Sequence, residues 1–504
     1  MIIFACAIAV AIAAIRWLTL PPRTFAPGLP VIPIWVAFLP LIRSWLGLPL
    51  LGQDETYARY IAPAMSKHGA VVIFFGSQWN VLVGCPQGMI QLFGRERSVF
   101  HKSGNHRKLP RAVISALTGG NIISETGEKW RTFAHVIRPA LKDRINTGGL
   151  DVACARLVQR LRRDGEVVAV TSIVQQYAME AVTLCVFGKD LNFLVQPPRI
   201  HAVHTLVKRH IFHPLFLSVP ALDNYPRLFP GRVVARKLIA QLEQELLATL
   251  PSAEAKAALS CKVIDVASSP SSSNVLFDLD QALLHGTFTS REYIDNLKIL
   301  FIAGHENVQQ ALCSVLMVLA RDPMLQDDIR QDALLHRGKD TSPFLHAIVH
   351  ETLRLYPPIP QLINRRVADP CVLSLPSQGG APLHVPLQPG TYVGWTAFGV
   401  HRGPWNSTWQ PDPDVFRPSR WGTTVDNIDA LARETRSRGE FTSFHGGLRA
   451  CPGQAFALRS LHLSVTAILA DFQLSLASDD GTKLTPGGLL APRNLHLRLV
   501  PVGK

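Results

Sequence analysis

A ten-residue segment constrains this chain more than any other feature. It runs Phe444-His445-Gly446-Gly447-Leu448-Arg449-Ala450-Cys451-Pro452-Gly453 and fits the pattern F-x-x-G-x-R-x-C-x-G at all five fixed positions. A single cysteine most often ends as a small buried core residue. Here glycines stand on both sides of Cys451, where tight backbone turns can bring N–H groups to its sulfur. This arrangement favours a functional thiolate over a packing cysteine.

Binding of a haem iron by Cys451 gives each fixed position of this segment a physical role. Gly447 and Gly453 allow the backbone to turn around the sulfur and approach a flat porphyrin without a Cβ atom between them. Arg449 presents a planar guanidinium to a propionate, and Phe444 completes the pattern. A thiolate ligand pushes electron density onto iron and favours O–O cleavage. We therefore predict that these five residues form a haem-binding loop with Cys451 as the iron ligand.

Further motifs make the chain similar to the cytochrome P450 superfamily over most of its length. The segment around Cys451 resembles that family's haem-binding loop, and the other motifs stand upstream in the family's order. They are Trp130 of the C-helix, the A-G-x-E of Ala303-Gly304-His305-Glu306, the E-x-x-R of Glu351-Thr352-Leu353-Arg354 and the P-x-R-W of Pro418-Ser419-Arg420-Trp421. The resemblance implies a mainly α fold with a small β region, one haem b and a monooxygenase activity.

The N-terminal residues are predicted to anchor the protein in a membrane. Ile2–Leu20 is apolar apart from Arg16 and Thr19, which is close to the length needed to cross a bilayer. Arg16 and Arg23 lie on its C-terminal side, so the positive-inside rule keeps the body in the cytosol. A cleaved signal peptide is the alternative, but only Met1 precedes the apolar run. With the family resemblance, this predicts a single-pass protein of the endoplasmic reticulum membrane.

Three parts are expected along the chain. They are a transmembrane anchor at 1–20, a proline-rich hinge and interfacial segment at 21–51, and a haem-thiolate catalytic domain at 52–504. Clustered prolines in the second part cannot continue a helix and form a stiff spacer. The apolar stretch Ile34–Leu51 contains two prolines and Arg43, which argue against a second span. We expect it to pack on the catalytic domain or to lie in the membrane interface.

Local patterns predict the elements that surround the site. Apolar runs at Val71–Phe75 and Val81–Val83, bounded by glycines, indicate strands. Thr289 followed three residues later by Glu292 indicates a capping box, and the helix that starts there is expected to run to Arg321. Roughly thirty helical residues, at about 1.5 Å each, cross an entire domain. Helices are expected to dominate the catalytic domain.

The middle of this long helix carries the predicted catalytic residues. Ala303 precedes Gly304, and a glycine at such a place costs about 1 kcal/mol relative to alanine, which a flat cofactor against the helix would explain. The family's usual threonine is replaced by Asn307. We expect Glu306 to carry protons through ordered water while the amide of Asn307 holds dioxygen in place. The alternative is that Asn307 bonds only the helix backbone and that no dioxygen is activated.

Charged residues of two motifs are expected to support the haem loop. Glu351 and Arg354 are i,i+3 neighbours on a helix, and resemblance to the family pairs both with Arg420 in a buried triad. An exposed i,i+3 pair, which stabilises by only some tenths of a kcal/mol, is the alternative.

The contacts to the haem propionates are only partly predicted by the family pattern. Trp130 is expected to donate its indole N–H to a propionate. The arginine that often follows four residues later in the family is Ala134 in this chain. His135, Arg131 or Arg365 is therefore expected to provide the second contact. For His135 the alternative, which the sequence supports equally, is an ordinary surface or packed histidine with no contact to a propionate.

Composition limits the partners. The 504 residues are 47% hydrophobic and carry a net charge of +14, but the basic residues are dispersed and no nucleic-acid motif is present. The eight cysteines show no C-x-x-C spacing and indicate reduced thiols. The expected partners are therefore a membrane and a hydrophobic small molecule, and no nucleic acid.

The resemblance also implies how electrons arrive. No flavin domain is recognised, so NADPH is expected to act through a separate cytochrome P450 reductase, with cytochrome b5 as a second donor. The acidic surface of the reductase is expected to contact basic residues of the C-helix, namely Lys129, Arg131, Arg138 and Lys142. The alternative is that these four residues are ordinary solvent-exposed charges of a helix. The A-G-H-E-N variant is similar to fungal enzymes of secondary metabolism. Two other classes stay open: a reductase-independent haem-thiolate isomerase or dehydratase, and a haem-binding sensor.

Overall fold

The computed structural model describes residues 20–22, 24–143, 145–260, 274–335, 342–478 and 483–502. Almost all of the predicted anchor at 1–20, together with its flanking Arg23, lies outside these residues. Within the described ranges, no helix has both the length and the hydropathy needed to span a membrane.

The helices before residue 250 range from short turns of four residues to a helix of 20 residues. They are α1 (Leu39–Trp45), α2 (Gln53–Thr56), α3 (Ala62–His68), α4 (Pro86–Gly94), α5 (Asn105–Lys108), α6 (Val113–Thr118), α7 (Gly127–Asp143), α8 (Gly148–Asp164), α9 (Val170–Cys185), α10 (Arg199–Ile211), α11 (Pro214–Ser218) and α12 (Pro230–Thr249). Several begin with a proline in the first turn, where the backbone N–H has no intrahelical acceptor and its loss costs little.

The later helices include the long one predicted from the sequence. They are α13 (Ala253–Leu259), α14 (Val275–Leu284), α15 (Ser290–Arg321), α16 (Pro323–Leu335), α17 (Pro343–Leu355), α18 (Ala397–Arg402), α19 (Val425–Ser437) and α20 (Gln454–Asp471). The side chain of Thr289 accepts the N–H of Glu292, whose carboxylate accepts the N–H of Thr289 in return. The predicted capping box and the end of α15 at Arg321 are therefore confirmed.

The strands form small sheets at the edges of the helical body. They are β1 (Ala70–Phe75), β2 (Gln78–Val83), β3 (Phe100–Lys102), β4 (Val167–Ala169), β5 (Gln361–Val367), β6 (Cys371–Leu375), β7 (Leu383–Leu387), β8 (Tyr392–Thr396), β9 (Phe472–Leu476) and β10 (His496–Pro501). Their orders are β1-β2-β8-β5-β3, β4-β10-β9 and β6-β7, with β2 and β8 parallel. Both predicted strands are present, and the mainly α fold with a small β region is confirmed.

Helix α15 lies in the centre of the largest hydrophobic cluster. Apolar residues on all of its faces, such as Phe301, Leu312 and Leu316, are buried against the surrounding helices. A helix buried all round must be apolar all round. The helix also buries polar residues, among them Lys298, His305 and Glu306, and each of these needs a polar partner.

The predicted interfacial segment has two different sides. Val36 and Leu39 are buried against the domain, and the hydroxyl of Ser218 donates to the carbonyl of Ala37 at 2.6 Å. Other apolar side chains of the segment are exposed, with Trp45 86% exposed. One side of the segment therefore packs against the domain, and the other side exposes apolar side chains.

Candidate functional site

The loop that carries Cys451 is held in shape by its own backbone. The N–H of Cys451 donates to the carbonyl of Phe444 at 2.9 Å, and α20 begins three residues after the cysteine. Gly447 has a φ of +62°, and a Cβ atom there would lie 3.1 Å from the carbonyl oxygen of Phe93 in α4. Only glycine fits such a place without strain. The loop therefore packs closely on α4 and presents Cys451 at its end.

The sulfur of Cys451 has the surroundings of a metal ligand rather than of a free nucleophile. Burial raises the pKa of the thiol, and the N–H of Gly453 and the charge of Arg436 oppose the rise without cancelling it. Although protein surrounds the sulfur closely enough to raise its pKa, one side of the residue is open to a cavity of about 720 Å³. A coordinating metal ion deprotonates a thiol outright. The site therefore suits a thiolate formed by coordination.

One face of α7 forms the other wall of this cavity. Its lining residues are Trp130, Arg131, Ala134, His135, Arg138, Pro139 and Lys142, opposite Cys451 and Pro452. Trp130 is buried, and the guanidinium of Arg449 lies over its ring at 4.6 Å from the centroid. Arg131 forms an exposed ion pair with Glu128. The structure thus places Trp130, His135 and Cys451 around one cavity and directs Arg131 to a surface acid.

Buried cations gather beside Trp130 and the cysteine loop. Arg365 in β5 pairs with Glu96 and donates to His445 of the loop at 2.8 Å. Lys102 in β3 is only 6% exposed, and burial followed by the charges of Arg365 and Arg449 holds its pKa well below the usual range. Burial and then Arg365 lower the pKa of Arg449 to about 9. Glu96 is bonded to Arg365 and acts on Lys102 and Arg449 only through its charge, so Lys102 has no carboxylate in direct contact.

Lys102 is the residue of this group that motif reasoning missed. The antiparallel register places it directly opposite Arg365, and like charges at such positions destabilise a sheet. Among the described residues, none accepts a hydrogen bond from its ammonium group. Two carboxylates between β3, β5 and Arg449 would satisfy the excess charge, and haem carries two propionates. The residues present therefore fit a haem at this place.

The predicted catalytic residues lie together on α15, but their contacts differ from those expected. Asn307 donates from Nδ2 to the carbonyl of Ala303 at 3.4 Å, and no described residue donates to its buried Oδ1. A Cβ atom on Gly304 would lie 3.1 Å from a methyl group of Val182 in α9. Close packing of α9 and α15 therefore accounts for this glycine without a cofactor, and its contact with haem stays a prediction.

Glu306 points towards α10. Its Oε1 atom lies 3.2 Å from Nζ of Lys208 and 3.4 Å from Nε2 of His204. Burial by itself raises the pKa of Glu306, but Lys208, His204 and His305 together hold it well below its ordinary value. The carboxyl group is therefore ionised at neutral pH and tied to the neighbouring helix.

The charged motif residues meet in the interior. Glu351 and Arg354 are both fully buried and form two hydrogen bonds of 2.8 Å. Nε of Arg420 donates to Glu351 at 3.1 Å, and the indole of Trp421 donates to its other oxygen at 3.0 Å. Arg354 also donates to carbonyls of the segment before Arg420, such as that of Pro413 at 2.5 Å. The network joins α17 to the segment that leads into the cysteine loop.

Comparisons with known proteins agree with this geometry. The family model "Cytochrome P450" matches residues 38–498. The chain is 32% identical to cytochrome P450 monooxygenase xanG of Aspergillus fumigatus over 478 residues, which cover 91% of this chain and 84% of that protein. It is 33% identical to cytochrome P450-DIT2 of Saccharomyces cerevisiae over 486 residues, covering 95% and 94%.

A solved structure has the same fold. The heme domain of a cytochrome P450DA mutant superposes with a TM-score of 0.68 at 19% identity, and the match covers 86% of this chain and 90% of that one. The identity is low, so this likeness concerns the fold alone. The family match and the two relatives nevertheless span most of the chain, and the chain belongs to the cytochrome P450 family of haem-dependent monooxygenases.

Proposed function

We propose that the chain binds one haem b beside α15, with Cys451 as the axial ligand of its iron. Lys102, Arg365 and Arg449 hold the propionates, and the indole of Trp130 donates to one of them. The observation that carries this assignment is the pair Lys102 and Arg365, which face each other across two strands with the carboxylate of Glu96 bonded to Arg365. The chemistry supplied by a bound haem with a thiolate ligand is reductive activation of dioxygen.

The proposed reaction inserts one oxygen atom from dioxygen into a hydrophobic small molecule, by hydroxylation, epoxidation or a related oxidation. Support comes from the match over most of the chain and from the name of the Aspergillus relative, a cytochrome P450 monooxygenase. The similarity to fungal enzymes also supports a role in secondary metabolism. The residues of this chain bind the substrate, exclude water and manage protons.

Protons are proposed to reach the reacting oxygen through Glu306. An ionised carboxylate accepts a proton from solvent and passes it inward through ordered water. In the structure this carboxylate is bound to Lys208 and His204, so the ion pair must open during the cycle. No described group donates a hydrogen bond to the buried Oδ1 atom of Asn307. A water molecule of the proposed proton path can donate to it.

The α7 face supports a proposal for electron delivery, and the N-terminal segment supports a proposal for the location of the protein. Arg138 and Lys142 line the cavity that exposes Cys451, and their charges suit an acidic surface of NADPH-cytochrome P450 reductase, with cytochrome b5 as a second donor. Lys129 instead pairs with Glu292 at 3.0 Å. A membrane anchor before residue 21 and the exposed apolar residues around Trp45 would hold the catalytic domain on the cytosolic face of the endoplasmic reticulum.

Mass spectrometry tests the proposed reaction. Microsomes containing the protein, reductase and NADPH are given candidate metabolites under ¹⁸O₂, and the expected product carries one heavy oxygen atom. The isomerase or dehydratase remains a second candidate, because Asn307 donates to the backbone of its own helix as that alternative requires. A product that carries no ¹⁸O and forms without NADPH would establish it instead.

A further inference from the structure

Three side chains that can bind a metal ion meet between α10 and α15. They are His204 of α10 with His305 and Glu306 of α15, all buried. Each offers one ligand atom, and these atoms all lie within 4.8 Å of one another. Two imidazoles and one carboxylate form a ligand set that zinc uses in proteins.

The hydrogen bonds of His305 prepare it to bind a metal ion. Its Nδ1 atom lies 2.6 Å from the carbonyl oxygen of Phe301, so the ring proton resides on Nδ1. Nε2 therefore carries a free lone pair, and no described group donates to this buried atom. A histidine that donates one ring N–H to a backbone carbonyl has its other nitrogen oriented and made more basic for a metal ion.

The spacing of the other two ligand atoms already fits a tetrahedral ion. Bonds of about 2.0–2.1 Å at tetrahedral angles separate neighbouring ligand atoms by about 3.3 Å. Nε2 of His204 lies 3.4 Å from Oε1 of Glu306. The second ring nitrogen of His204, Nδ1, is buried without a described partner. His204 and Glu306 are therefore already at the spacing that zinc requires, and the ligand atom of His305 lies within 4.8 Å of both.

We propose that His204, His305 and Glu306 form a zinc site that links α10 to α15, with water as a fourth ligand. When no zinc is bound, the ammonium of Lys208 balances the negative charge of Glu306, because it lies 3.2 Å from Oε1 of that carboxylate. Its side chain is 26% exposed and can leave towards solvent when zinc enters. Zinc and the Lys208 ammonium compete for one carboxylate.

A second histidine cluster, in α17, provides the matched control. Nδ1 of His350 lies 2.9 Å from the carbonyl oxygen of His346, as His305 does with its own helix. Both ring nitrogens of His346 are occupied, by His462 at 3.1 Å and by Asp429 at 2.9 Å. Nε2 of His350 has no described partner, but both ring nitrogens of His346 are already engaged, so a metal ion would have to break a hydrogen bond of His346 to bind this cluster.

Equilibrium dialysis of the haem-loaded, full-length protein against zinc buffers tests the proposal. Elemental analysis is expected to show one zinc ion per protein molecule, and its binding is expected to depend on both His204 and His305. His204→Gln and His305→Gln are each expected to weaken binding by more than the roughly 10- to 100-fold that loss of an outer partner causes. Lys208→Met is expected to tighten zinc binding about fivefold, because zinc no longer has to break a partly exposed ion pair. His350→Gln is expected to leave zinc binding unchanged.

The haem absorption spectrum of each variant reports whether it is folded. Zinc affinity that is the same in wild type, His204→Gln and Lys208→Met would overturn the site. Inhibition of turnover by zinc is a further expectation that rests on the proposed proton path through Glu306. Zinc that binds as described without slowing turnover would contradict that path and leave the site standing, because dialysis measures binding without turnover.

Discussion

Lys102 and Arg365 stand directly opposite each other on the antiparallel strands β3 and β5, with the carboxylate of Glu96 bound to the arginine. Among the described residues the ammonium of Lys102 has no hydrogen-bond acceptor, and a buried charge without a partner is costly. The family pattern predicts an arginine where this chain has Ala134, and Lys102 is a buried cation close to Arg449, whose guanidinium lies over Trp130. In the proposed haem site, the propionates would supply the negative charge that Lys102 lacks.

Replacing Lys102 tests this arrangement. Lys102→Met is expected to weaken haem retention about 10-fold or more, because a charge-assisted hydrogen bond to a propionate is lost. Transfer of haem to an acceptor protein measures the change. Lys108→Met is the control, since Lys108 is also largely enclosed but lies over the ring of Tyr392, 4.7 Å from its centroid. Equal haem loss from both variants would remove Lys102 from the propionate site.

The network around Glu351 is expected to dominate the stability of the cysteine loop. Glu351→Gln leaves Arg354 and Arg420 without their shared carboxylate, and stranding buried charge in this way costs about 3–5 kcal/mol. Urea unfolding followed by circular dichroism measures the change. Arg498→Met removes an exposed pair with Glu166 and is expected to cost less than about 1 kcal/mol. Similar losses in the two variants would contradict the buried network.

The motifs predict the parts of the site that are local in sequence. The loop from Phe444 to Gly453, the capping box at Thr289 and the pairing of Glu351 with Arg354 each depend on residues a few positions apart. Lys102 lies in a strand of three residues, and its place beside Arg365 depends on a register that joins distant segments. No local pattern contains that information.

The contact between Lys208 and Glu306 could not be predicted for the same reason. A lysine near the end of an amphipathic helix is usually a solvated charge, and only the crossing of α10 over α15 brings it to the carboxylate. Motif reasoning also expected Gly304 to face a cofactor. In the structure this glycine lies against Val182, because α9 approaches α15 closely at that point.

Replacement of Asn307 tests how protons reach the reacting oxygen. Asn307→Ala is expected to raise the peroxide released per NADPH consumed, because the amide no longer positions water in the path. Asn307→Thr restores a hydroxyl and is expected to keep peroxide release low. Glu306→Gln is expected to slow product formation by about 10²-fold or more, the usual contribution of a positioned acid–base group. Wild-type rate and coupling in all three variants would favour the isomerase.

Membrane attachment is expected to have two components. Deleting residues 1–20 is expected to release only part of the protein from microsomes, because the exposed apolar side of α1 still enters the interface. Adding Trp45→Asp to this deletion is expected to release most of the remainder, as flotation on a sucrose gradient would show. Met324→Asp, at an exposed apolar residue of α16, is the control and is expected to change little. A fully soluble intact chain would contradict both components.

The central claim is that Cys451 is the thiolate ligand of a haem iron, and the spectrum of the reduced carbon monoxide complex tests it most directly. The account predicts the strongly red-shifted Soret band that a thiolate ligand produces, present in the wild type and lost in Cys451→Ala. Cys154→Ala, at a buried cysteine remote from the loop in sequence, is expected to retain the band. An unchanged band in Cys451→Ala would contradict the account.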